Sequence, residues 1–303
     1  MPGVVFLVNP ASDTGRTGRR WAELATRAAR AGLEGETRLS ERPGHLIELA
    51  AGAVDDGASL VVAVGGDGTL NEVVNGVAGR DVELATIPLG TGMDFGRTYG
   101  LPKKFDDAVR VALDGDTRTV DAGRVRYRTW SGEEATRWFA NVGTVGMSGA
   151  VAQRANGMSK ALGGRVTFFY ALTRTFLAWE NTDVRVELDG GERRSGRMHD
   201  VIVANGAWHG GGMKLAPDAR PDDGLFDVVL IGDVSKVDFL TTAPKIYKGR
   251  HVSHRKVEVV RSATASVDAD EPLPIEVEGE QVGATPASFE IVRDALRVRV
   301  PRG

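Results

Sequence analysis

Residues 60–72, LVVAVGGDGTLNE, are the stretch of this 303-residue chain that decides its fold. An apolar run ends at Val64 and is followed by three glycines in four positions, which predicts a buried strand, a glycine turn and a helix from near Thr69. Glycine lets backbone N–H groups approach an anion closely, and the start of a helix adds positive charge. The turn therefore suits the phosphates of a nucleotide.

Asp67 lies in the middle of this turn. A carboxylate repels a phosphate, so its presence predicts a bridging Mg²⁺, or a bond from Asp67 to a hydroxyl or an arginine. The alternative is a tight strand-to-helix turn in which the aspartate serves only as a cap. The turn by itself leaves both interpretations open.

Strands and helices alternate around the turn over the first 124 residues. This order predicts a doubly wound α/β domain with a mostly parallel sheet. Strands are expected at residues 4–8, 36–39, 60–64 and 84–87, and helices at residues 19–31, from 43, 70–77 and 105–113.

After Asp121 the apolar residues occupy alternate positions, which predicts antiparallel strands joined by hairpins. Two helices are expected within this part, at about residues 165–179 and 236–247. We therefore expect two domains. Residues 1–124 are expected to form the nucleotide-binding α/β domain, and residues 125–289 a β-rich, sandwich-like antiparallel domain for the lipid substrate. The sequence leaves open whether about residues 290–303 return to the first domain.

The composition excludes several classes of function. The formal net charge is −3 and basic residues are scattered singly, so we expect no nucleic-acid partner. No cysteine occurs, which excludes disulfides, thiolate metal sites and cysteine nucleophiles. No signal-peptide pattern is present, and no apolar run approaches the length of about 18 residues needed to span a membrane. We expect a soluble, cytoplasmic protein without a transmembrane segment.

Two further aspartates follow later strands. Asp94 comes after a second glycine turn, PLGTG at residues 88–92, and Asp121 ends another strand. Ligands of doubly wound sheets bind at the carboxyl ends of the strands, so Asp67, Asp94 and Asp121 are predicted to converge. Converging carboxylates repel one another unless a cation or an ordered water network separates them. Three unrelated turn aspartates are the alternative.

A set of motifs resembles the diacylglycerol kinase catalytic-domain family, and most closely its soluble bacterial lipid kinases. The resemblance covers nearly the whole chain in the family's order, which makes it far more specific than the GGDGT turn alone. The motifs are NPAS at 9–12, GGDGTLNEVVNG at 65–76, PLGT at 88–91, DFGR at 94–97, GGG at 210–212, DGLFD at 223–227 and GE at 279–280.

This resemblance implies ATP between the glycine turns, Mg²⁺ on the phosphates, and transfer of the γ-phosphoryl group to a lipid hydroxyl presented by the β-rich domain. It implies a metal and water network of Asp67, Asp94 and Asp121, and a structural metal at Asp223, where a plain turn is the alternative. The implied nucleotide contacts are Asn9, Gly66, Gly68, Thr69, Asn71 and Thr91.

The implied catalytic carboxylates are Glu278, Asp67 and Glu280. Glu278 stands where the family has aspartate as the general base, and the extra methylene moves the carboxylate by about 1 Å. Strand alternation predicts that Glu276, Glu278 and Glu280 share one face of a strand. Met93 stands where the family usually has asparagine, which removes one polar contact.

For two other motifs we favour a structural interpretation over a functional one. Residues 166–179 form a predicted helix that is apolar nearly all round, which is more typical of core packing than of an acyl-chain slot. His209 precedes the GGG motif, where a structural role is more common than catalysis.

The expected function is that of a lipid kinase acting peripherally at the membrane surface. Two alternatives stay open: a NAD kinase, which also uses a GGDGT turn, and a nucleotide- or lipid-sensing module that has lost turnover. The sequence leaves the lipid open among diacylglycerol, monoacylglycerol, ceramide, phosphatidylglycerol and polyprenol. It also leaves open a homodimer.

Overall fold

A computed structural model describes residues 3–90, 92–156 and 164–303, with only the backbone of residues 156 and 164–169. The chain divides into two compact units. Unit 1 comprises Met1–Ala122 and Val292–Gly303, and unit 2 comprises Gly123–Ile291. The binding roles expected for the two domains stay predictions.

Unit 1 opens with strands and helices in alternation. In chain order these are β1 (Val4–Val8), α1 (Arg16–Arg30), β2 (Glu36–Leu39), α2 (His45–Asp55), β3 (Leu60–Gly65), α3 (Asp67–Val77), β4 (Glu83–Pro88), α4 (Asp94–Thr98), α5 (Phe105–Asp114) and β5 (Asp116–Arg128). From Gly123 onward β5 belongs to unit 2. β3 pairs in parallel with β1 and β4, and β1 also pairs in parallel with β2. The carboxyl ends of these strands therefore lie at one edge of the sheet.

The core of unit 1 lies where α1 packs on this sheet. Trp21, Leu24 and Ala28 recur at helical spacing on the buried side of α1, and Val62 and Val64 meet them from β3. Every residue of β3 is buried, as expected for a central parallel strand. α3 begins at Asp67, before the predicted start near Thr69, so the aspartate belongs to the first turn of the helix.

Unit 2 holds the rest of the chain. Its elements are β6 (Glu134–Phe139), β7 (Val142–Gly146), α6 (Met147–Asn156), α7 (Gly164–Ala178), β8 (Thr182–Leu188), β9 (Arg193–Met198), β10 (Asp200–Ala204), β11 (Trp208–His209), β12 (Met213–Lys214), β13 (Phe226–Ile231), α8 (Lys236–Ile246), β14 (Val257–Ser262), β15 (Thr264–Ala269), β16 (Pro274–Val277) and β17 (Glu280–Val300). Short 3₁₀ helices span Asp189–Gly191 and Arg250–Ser253. The last residues of β17 belong to unit 1, where Arg297 and Val298 pair in parallel with β4.

The strands of unit 2 pair in antiparallel fashion. β10 lies between β7 and β13, and β16 lies between β7 and β17. Three aromatic rings fill the core: Phe139 lies 5.7 Å from Phe226 and 6.1 Å from Phe289, measured between ring centroids. The predicted fold class, a parallel α/β part and an antiparallel β-rich part, is confirmed. No helix in the described part of the chain is long and apolar enough to cross a membrane.

Candidate functional site

The glycine turn after β3 leaves the start of α3 open. A Cβ atom on Gly65 would lie 2.2 Å from the hydroxyl oxygen of Thr69, so a larger residue would clash. Gly66 has an extended backbone and precedes α3 without a side chain that caps it. A Cβ atom on Gly68 would meet nothing within 4 Å. The first N–H groups of a helix lack intrahelical partners, so this open first turn can bind an anion.

The glycine turn after β4 packs directly against the first turn. The N–H of Leu89 donates to the carbonyl oxygen of Gly65 at 2.8 Å. A Cβ atom on Gly90 would lie 2.7 Å from the Cα of Gly66, so only glycine fits there. The two turns lie backbone to backbone at the same edge of the sheet. Thr91, the predicted nucleotide contact of the second turn, lies outside the described residues.

Asp67 binds the start of the short helix α4. Its two carboxylate oxygens lie 3.1 and 3.2 Å from the backbone nitrogen of Asp94 and accept its N–H. A Cβ atom on Gly92 would lie 2.3 Å from one of these oxygens, so the second turn closes over the carboxylate. The buried carboxylate of Asp94 forms an ion pair with Arg97 at 2.5 Å. The structure therefore brings Asp67 and Asp94 together.

Asp121 holds a different part of the backbone. It is buried, and its Oδ1 atom accepts the N–H of Asp294 at 3.0 Å. Among the described residues, no three His, Cys, Asp or Glu side chains form a group that could hold a metal ion. Asp94 pairs with Arg97 and Asp121 accepts the N–H of Asp294, and these contacts do not test the predicted convergence of Asp67, Asp94 and Asp121. Their part in a metal and water network stays a prediction.

The loop after β1 reaches the start of α3 as well. The Oδ1 atom of Asn9 accepts the N–H of Ala11 at 3.0 Å, which shapes the loop. The hydroxyl oxygen of Ser12 lies 3.3 Å from that of Thr69. Asn9 thus orders the loop, and Ser12 joins it to α3. Ser12 belongs to the NPAS motif, but the motif predicted no separate role for it.

Asn71 carries a buried polar atom without a partner. Asn75 donates to the Oδ1 atom of Asn71 at 3.1 Å and to its carbonyl oxygen at 2.8 Å. The Nδ2 atom of Asn71 has no hydrogen-bond partner among the described residues. A buried amide without an acceptor is unfavourable, so this nitrogen fits an oxygen of a ligand or of water.

In unit 2, Glu278 lies in a hairpin turn rather than in a strand. Glu278 and Gly279 have φ values of 52° and 88°, and Val277 pairs with Glu280 across them. The predicted alternation of Glu276, Glu278 and Glu280 along one strand face is therefore wrong. The chain reverses at Glu278 and Gly279, so Glu276 lies in β16, which ends at Val277, and Glu280 begins β17.

The carboxylate of Glu278 binds backbone amides. Its Oε1 atom accepts the N–H groups of Ala140 at 2.9 Å and Asn141 at 2.6 Å, and its Oε2 atom lies 3.4 Å from the side-chain nitrogen of Asn141. The N–H of Glu278 donates to the carbonyl oxygen of Val142 at 3.1 Å. Hydrogen bonds from N–H groups favour the ionised form of a carboxylate, which is the form a general base needs.

Buried Glu276 stabilises this turn through hydrogen bonds. The sequence predicted no separate role for it. One of its oxygens accepts the N–H of Gly279 and lies 3.3 Å from the Nε2 atom of His209, and the other accepts the hydroxyl of Thr144 at 2.9 Å. Burial by itself raises the pKa of Glu276, but His209 and these hydrogen bonds outweigh burial and hold the pKa below its ordinary value. Ionised Glu276 therefore fixes the backbone beside Glu278.

Two other predicted carboxylates pair with arginines. Glu280 forms an ion pair with Arg137 at 2.7 Å. Asp223 pairs with Arg261, and its other oxygen accepts the N–H of Leu225 at 3.1 Å. The guanidinium of Arg261 already supplies the positive charge that a metal would bring, so this geometry fits the plain turn. The structural metal at Asp223 stays a prediction without support from these contacts.

A cavity of about 1040 Å³ is lined by strands of unit 2. It is lined by mostly polar residues of β5, β6, β8, β9, β15 and β17, among them Arg126, Arg185 and Ser266. None of the predicted site residues that the structure describes lines it. The cavity is therefore separate from the groups discussed above.

Comparison with known proteins decides the family. Residues 3–125 match the diacylglycerol kinase catalytic domain, and residues 141–300 match the YegS C-terminal NAD kinase beta sandwich-like domain. A diacylglycerol kinase of Mycobacterium tuberculosis (strain CDC 1551 / Oshkosh) is 30% identical over 311 residues, covering 99% of this chain and 95% of the relative. The chain belongs to the diacylglycerol kinase family. A diacylglycerol kinase of Staphylococcus carnosus (strain TM300) is 28% identical and covers 98% of this chain and 94% of its own length.

Solved structures share the fold of this diacylglycerol kinase family member. The crystal structure of a diacylglycerol kinase from Bacillus anthracis str. Sterne matches with a TM-score of 0.72 at 20% identity, covering 99% of this chain and 97% of that one. Yeast NADH kinase, solved in complex with NADH, matches with a TM-score of 0.55 at 11% identity, covering 98% and 82%. Both likenesses concern the fold.

Met93 lies where the resemblance to the family led us to expect asparagine, and the structure of this diacylglycerol kinase family member shows what the methionine contacts. Met93 is buried and directly precedes α4. A Cβ atom on Gly96 would lie 2.7 Å from the methyl carbon of Met93, so the two residues pack tightly. An apolar contact therefore replaces the polar one expected of asparagine.

Proposed function

We propose that this protein is an ATP- and Mg²⁺-dependent lipid kinase that transfers the γ-phosphoryl group of ATP to the hydroxyl of a diacylglycerol-like lipid. The observation that carries the proposal is the backbone contact between Gly66 and Gly90 beside the open first turn of α3. We further propose that the protein is cytoplasmic and acts peripherally at the membrane surface.

The residues of unit 1 fit a nucleotide. The open space at Gly68 leaves room for phosphate oxygens at the N–H groups of the helix start. The buried Nδ2 atom of Asn71 lacks an acceptor among the described residues, and a nucleotide oxygen would provide one. Asn9, Gly66, Thr69 and Thr91 complete the proposed nucleotide contacts.

Asp67 fits a role beside Mg²⁺. Protein sites for this ion usually supply one or two carboxylates, while substrate phosphates and water complete the coordination shell. Asp67 lies at the first turn of α3, beside the N–H groups proposed to bind the phosphates, and both of its oxygens accept the N–H of Asp94. When bound, Mg²⁺ would neutralise charge on the phosphates. Asp94 and Asp121 are the further residues proposed for this network.

Glu278 is the proposed general base. The hydroxyl oxygen of the lipid forms a bond to the γ-phosphorus while the bond to the ADP oxygen breaks, and the hydroxyl proton passes to the Glu278 carboxylate. Its hydrogen bonds from the N–H groups of Ala140 and Asn141 hold this carboxylate in place. Glu280 is the further catalytic carboxylate that we propose.

Two alternatives have specific observations behind them. The fold likeness to yeast NADH kinase favours a NAD kinase. The apolar contact of Met93 and the extra methylene at Glu278 favour a sensing module without turnover.

The acceptor test separates these functions. Purified protein is incubated with γ-labelled ATP, Mg²⁺ and vesicles of a mixed lipid extract, and a parallel tube contains NAD in place of the lipid. A lipid kinase places the label on a lipid. Label on NAD alone would establish the NAD kinase, and nucleotide binding without any labelled product would establish the sensing module.

A further inference from the structure

The outer side of α8 exposes large apolar side chains. Val237 is 69% exposed, Leu240 is 62% exposed, and Tyr247, just beyond the helix, is 59% exposed. These residues and exposed Pro244 recur at intervals of three and four, so they follow one side of the helix. An apolar stripe of this kind on a soluble domain is unusual and indicates a contact surface.

The inner side of α8 is already packed, so the exposed stripe is not the core face of the helix. The ring of Phe239 stacks on Phe176 of α7 with centroids 4.5 Å apart. Ile246 packs against the cluster that contains Leu215. Burying the outer stripe therefore requires something outside this chain's described core.

The end of α7 extends the apolar surface. Leu177 is 67% exposed and directly follows Phe176, which stacks on α8. The ammonium group of Lys236 donates to the carbonyl oxygen of Trp179 at 2.6 Å and so ties the two helix ends together. We call Leu177, Val237, Leu240 and Tyr247 the α7–α8 apolar surface.

Basic side chains lie beside this surface. Lys245, Lys248 and Arg250 are exposed, and their side chains form no ion pair or hydrogen bond with any residue that the structure describes. The one acidic residue between positions 236 and 250 is Asp238, whose carboxylate is paired with Lys256 at 2.7 Å. The apolar surface is therefore accompanied by three basic side chains that have no ion-pair partner in the part of the chain that the structure describes.

This combination identifies the occupant by its chemistry. A second copy of the chain, docked through the same surface by two-fold symmetry, would place the basic residues of both copies, Lys245 and Lys248 among them, in one interface and so concentrate positive charge there. A bilayer with anionic headgroups satisfies both features, because apolar side chains enter the acyl layer while lysine and arginine meet phosphates. We infer that the α7–α8 apolar surface docks the protein on anionic lipid bilayers. The inference rests on the proposed function, for which the substrate lies in such a bilayer.

Vesicle sedimentation without ATP tests the docking. The probes are vesicles of phosphatidylcholine alone and of phosphatidylcholine mixed with phosphatidylglycerol. We expect the parent protein to bind the anionic vesicles and to lose binding at high salt. Leu240→Asp should weaken binding by at least roughly tenfold, because it removes an apolar side chain from the acyl layer. The pair Lys245→Gln and Lys248→Gln should weaken binding by roughly 25-fold, since each basic residue near an anionic surface adds about a fivefold preference.

Matched controls lie elsewhere on the surface. Leu39→Asp changes another exposed leucine, and the pair Lys103→Gln and Lys104→Gln changes another exposed basic pair, so both should bind as the parent does. Thermal midpoints of all variants establish that they are folded. Folded Leu240→Asp that binds anionic vesicles like the parent would overturn the inference. So would a dimer in solution that Leu240→Asp converts to a monomer, since the occupant would then be a second copy.

A second assay distinguishes failure of docking from failure of the proposed function. Parent protein is given ATP, Mg²⁺ and a short-chain, water-soluble diacylglycerol without vesicles. Phosphorylation of this lipid without any vesicle binding would contradict the docking inference and support the proposed kinase function. Vesicle binding without phosphorylation of any lipid would contradict the proposed kinase function and support the docking inference.

Discussion

Glu278 Oε1 lies 2.6 Å from the backbone nitrogen of Asn141 and accepts its hydrogen bond. The N–H of Ala140 donates to the same oxygen at 2.9 Å. The proposed base is therefore held by main chain, which does not titrate and moves little. The side chain of Glu278 is one methylene longer than that of aspartate, and these two hydrogen bonds determine the position of its carboxylate.

Replacing Glu278 tests its role as the base. Glu278→Gln removes the proton acceptor and should lower kcat by roughly 10² to 10⁴, about 3 to 5 kcal/mol, while ATP affinity changes little. Glu278→Asp restores a carboxylate, and aspartate tolerates the left-handed backbone of this position better than glutamate does. The Asp variant should match or exceed the parent. Equal turnover of all three proteins on the preferred lipid would remove Glu278 from the mechanism.

Asp67→Asn should leave the fold intact, because an amide oxygen can still accept the N–H of Asp94. It removes the negative charge that a metal or its water would meet, so kcat should fall by at least about 100-fold. Steady-state rates across a range of Mg²⁺ concentrations, together with the thermal midpoint, measure both effects. Near-normal rates at every Mg²⁺ concentration would contradict the metal-network role.

Glu276 is predicted to act through the backbone of its neighbour. Glu276→Gln keeps the shape but removes the negative charge beside His209, and its one remaining acceptor oxygen cannot accept from both Gly279 and Thr144. We expect a lower thermal midpoint and a kcat lowered by about tenfold, with KM for ATP unchanged. Glu276→Ala, which loses both bonds, should be worse on every measure. Unchanged kcat in a destabilised Gln variant would reduce Glu276 to a purely structural residue.

Alanine substitutions at Gly90 and Gly68 should affect folding stability and ATP affinity differently. Gly90→Ala forces a methyl group to within 2.7 Å of Gly66, so it should lower both the thermal midpoint and ATP affinity. Gly68→Ala places its methyl group in open space, so the midpoint should stay close to that of the parent while ATP binds more weakly. Calorimetric titration with ATP and thermal unfolding of both variants measure the contrast. Normal ATP affinity in Gly68→Ala would argue against phosphate at this turn.

Asp200 makes a pH-dependent contribution to stability. Burial raises its pKa to about 8, nearby Glu276 adds to the rise, and the bonds from Ser148 and the proximity of His209 oppose it. An unfolded aspartate loses its proton near pH 4 whereas the folded one keeps it up to about pH 8, so the free energy of unfolding falls by about 1.4 kcal/mol per pH unit across that range. Below about pH 4 the group has no such effect.

Asp200→Asn should remove this fall in stability. The variant should have a higher thermal midpoint than the parent at about pH 8 and a flatter dependence between about pH 5 and pH 8. Thermal unfolding of both proteins over that range measures the difference. Parallel curves for the two proteins would show that Asp200 is not the group responsible.

The sequence predicts local features of the fold well, because they depend on neighbouring residues. The apolar run before Gly65, the two glycine turns and the alternation after Asp121 each follow from spacing along the chain. The hairpin at Glu278 escaped prediction because glutamate rarely adopts the left-handed backbone that such a turn requires.

The site contacts depend on residues far apart in sequence, which local patterns do not reveal. The bond between Glu278 and Asn141 spans 137 positions, and the pair of Asp121 with Asp294 spans 173. Asp67, Asp94 and Asp121 each have a separate partner, and the sequence indicates none of these partners. The partner of Glu276 is His209, a residue whose structural role the sequence favoured without indicating what it contacts.

The ratio of ADP formed to lipid phosphorylated tests the central claim most directly. Purified protein receives ATP, Mg²⁺ and vesicles that contain diacylglycerol, and both products are quantified over time. We predict one molecule of phosphorylated lipid for each ADP, with both rates lowered in parallel in Asp67→Asn. ADP formed without phosphorylated lipid, or no ADP formed at all, would contradict the account of this protein as a lipid kinase.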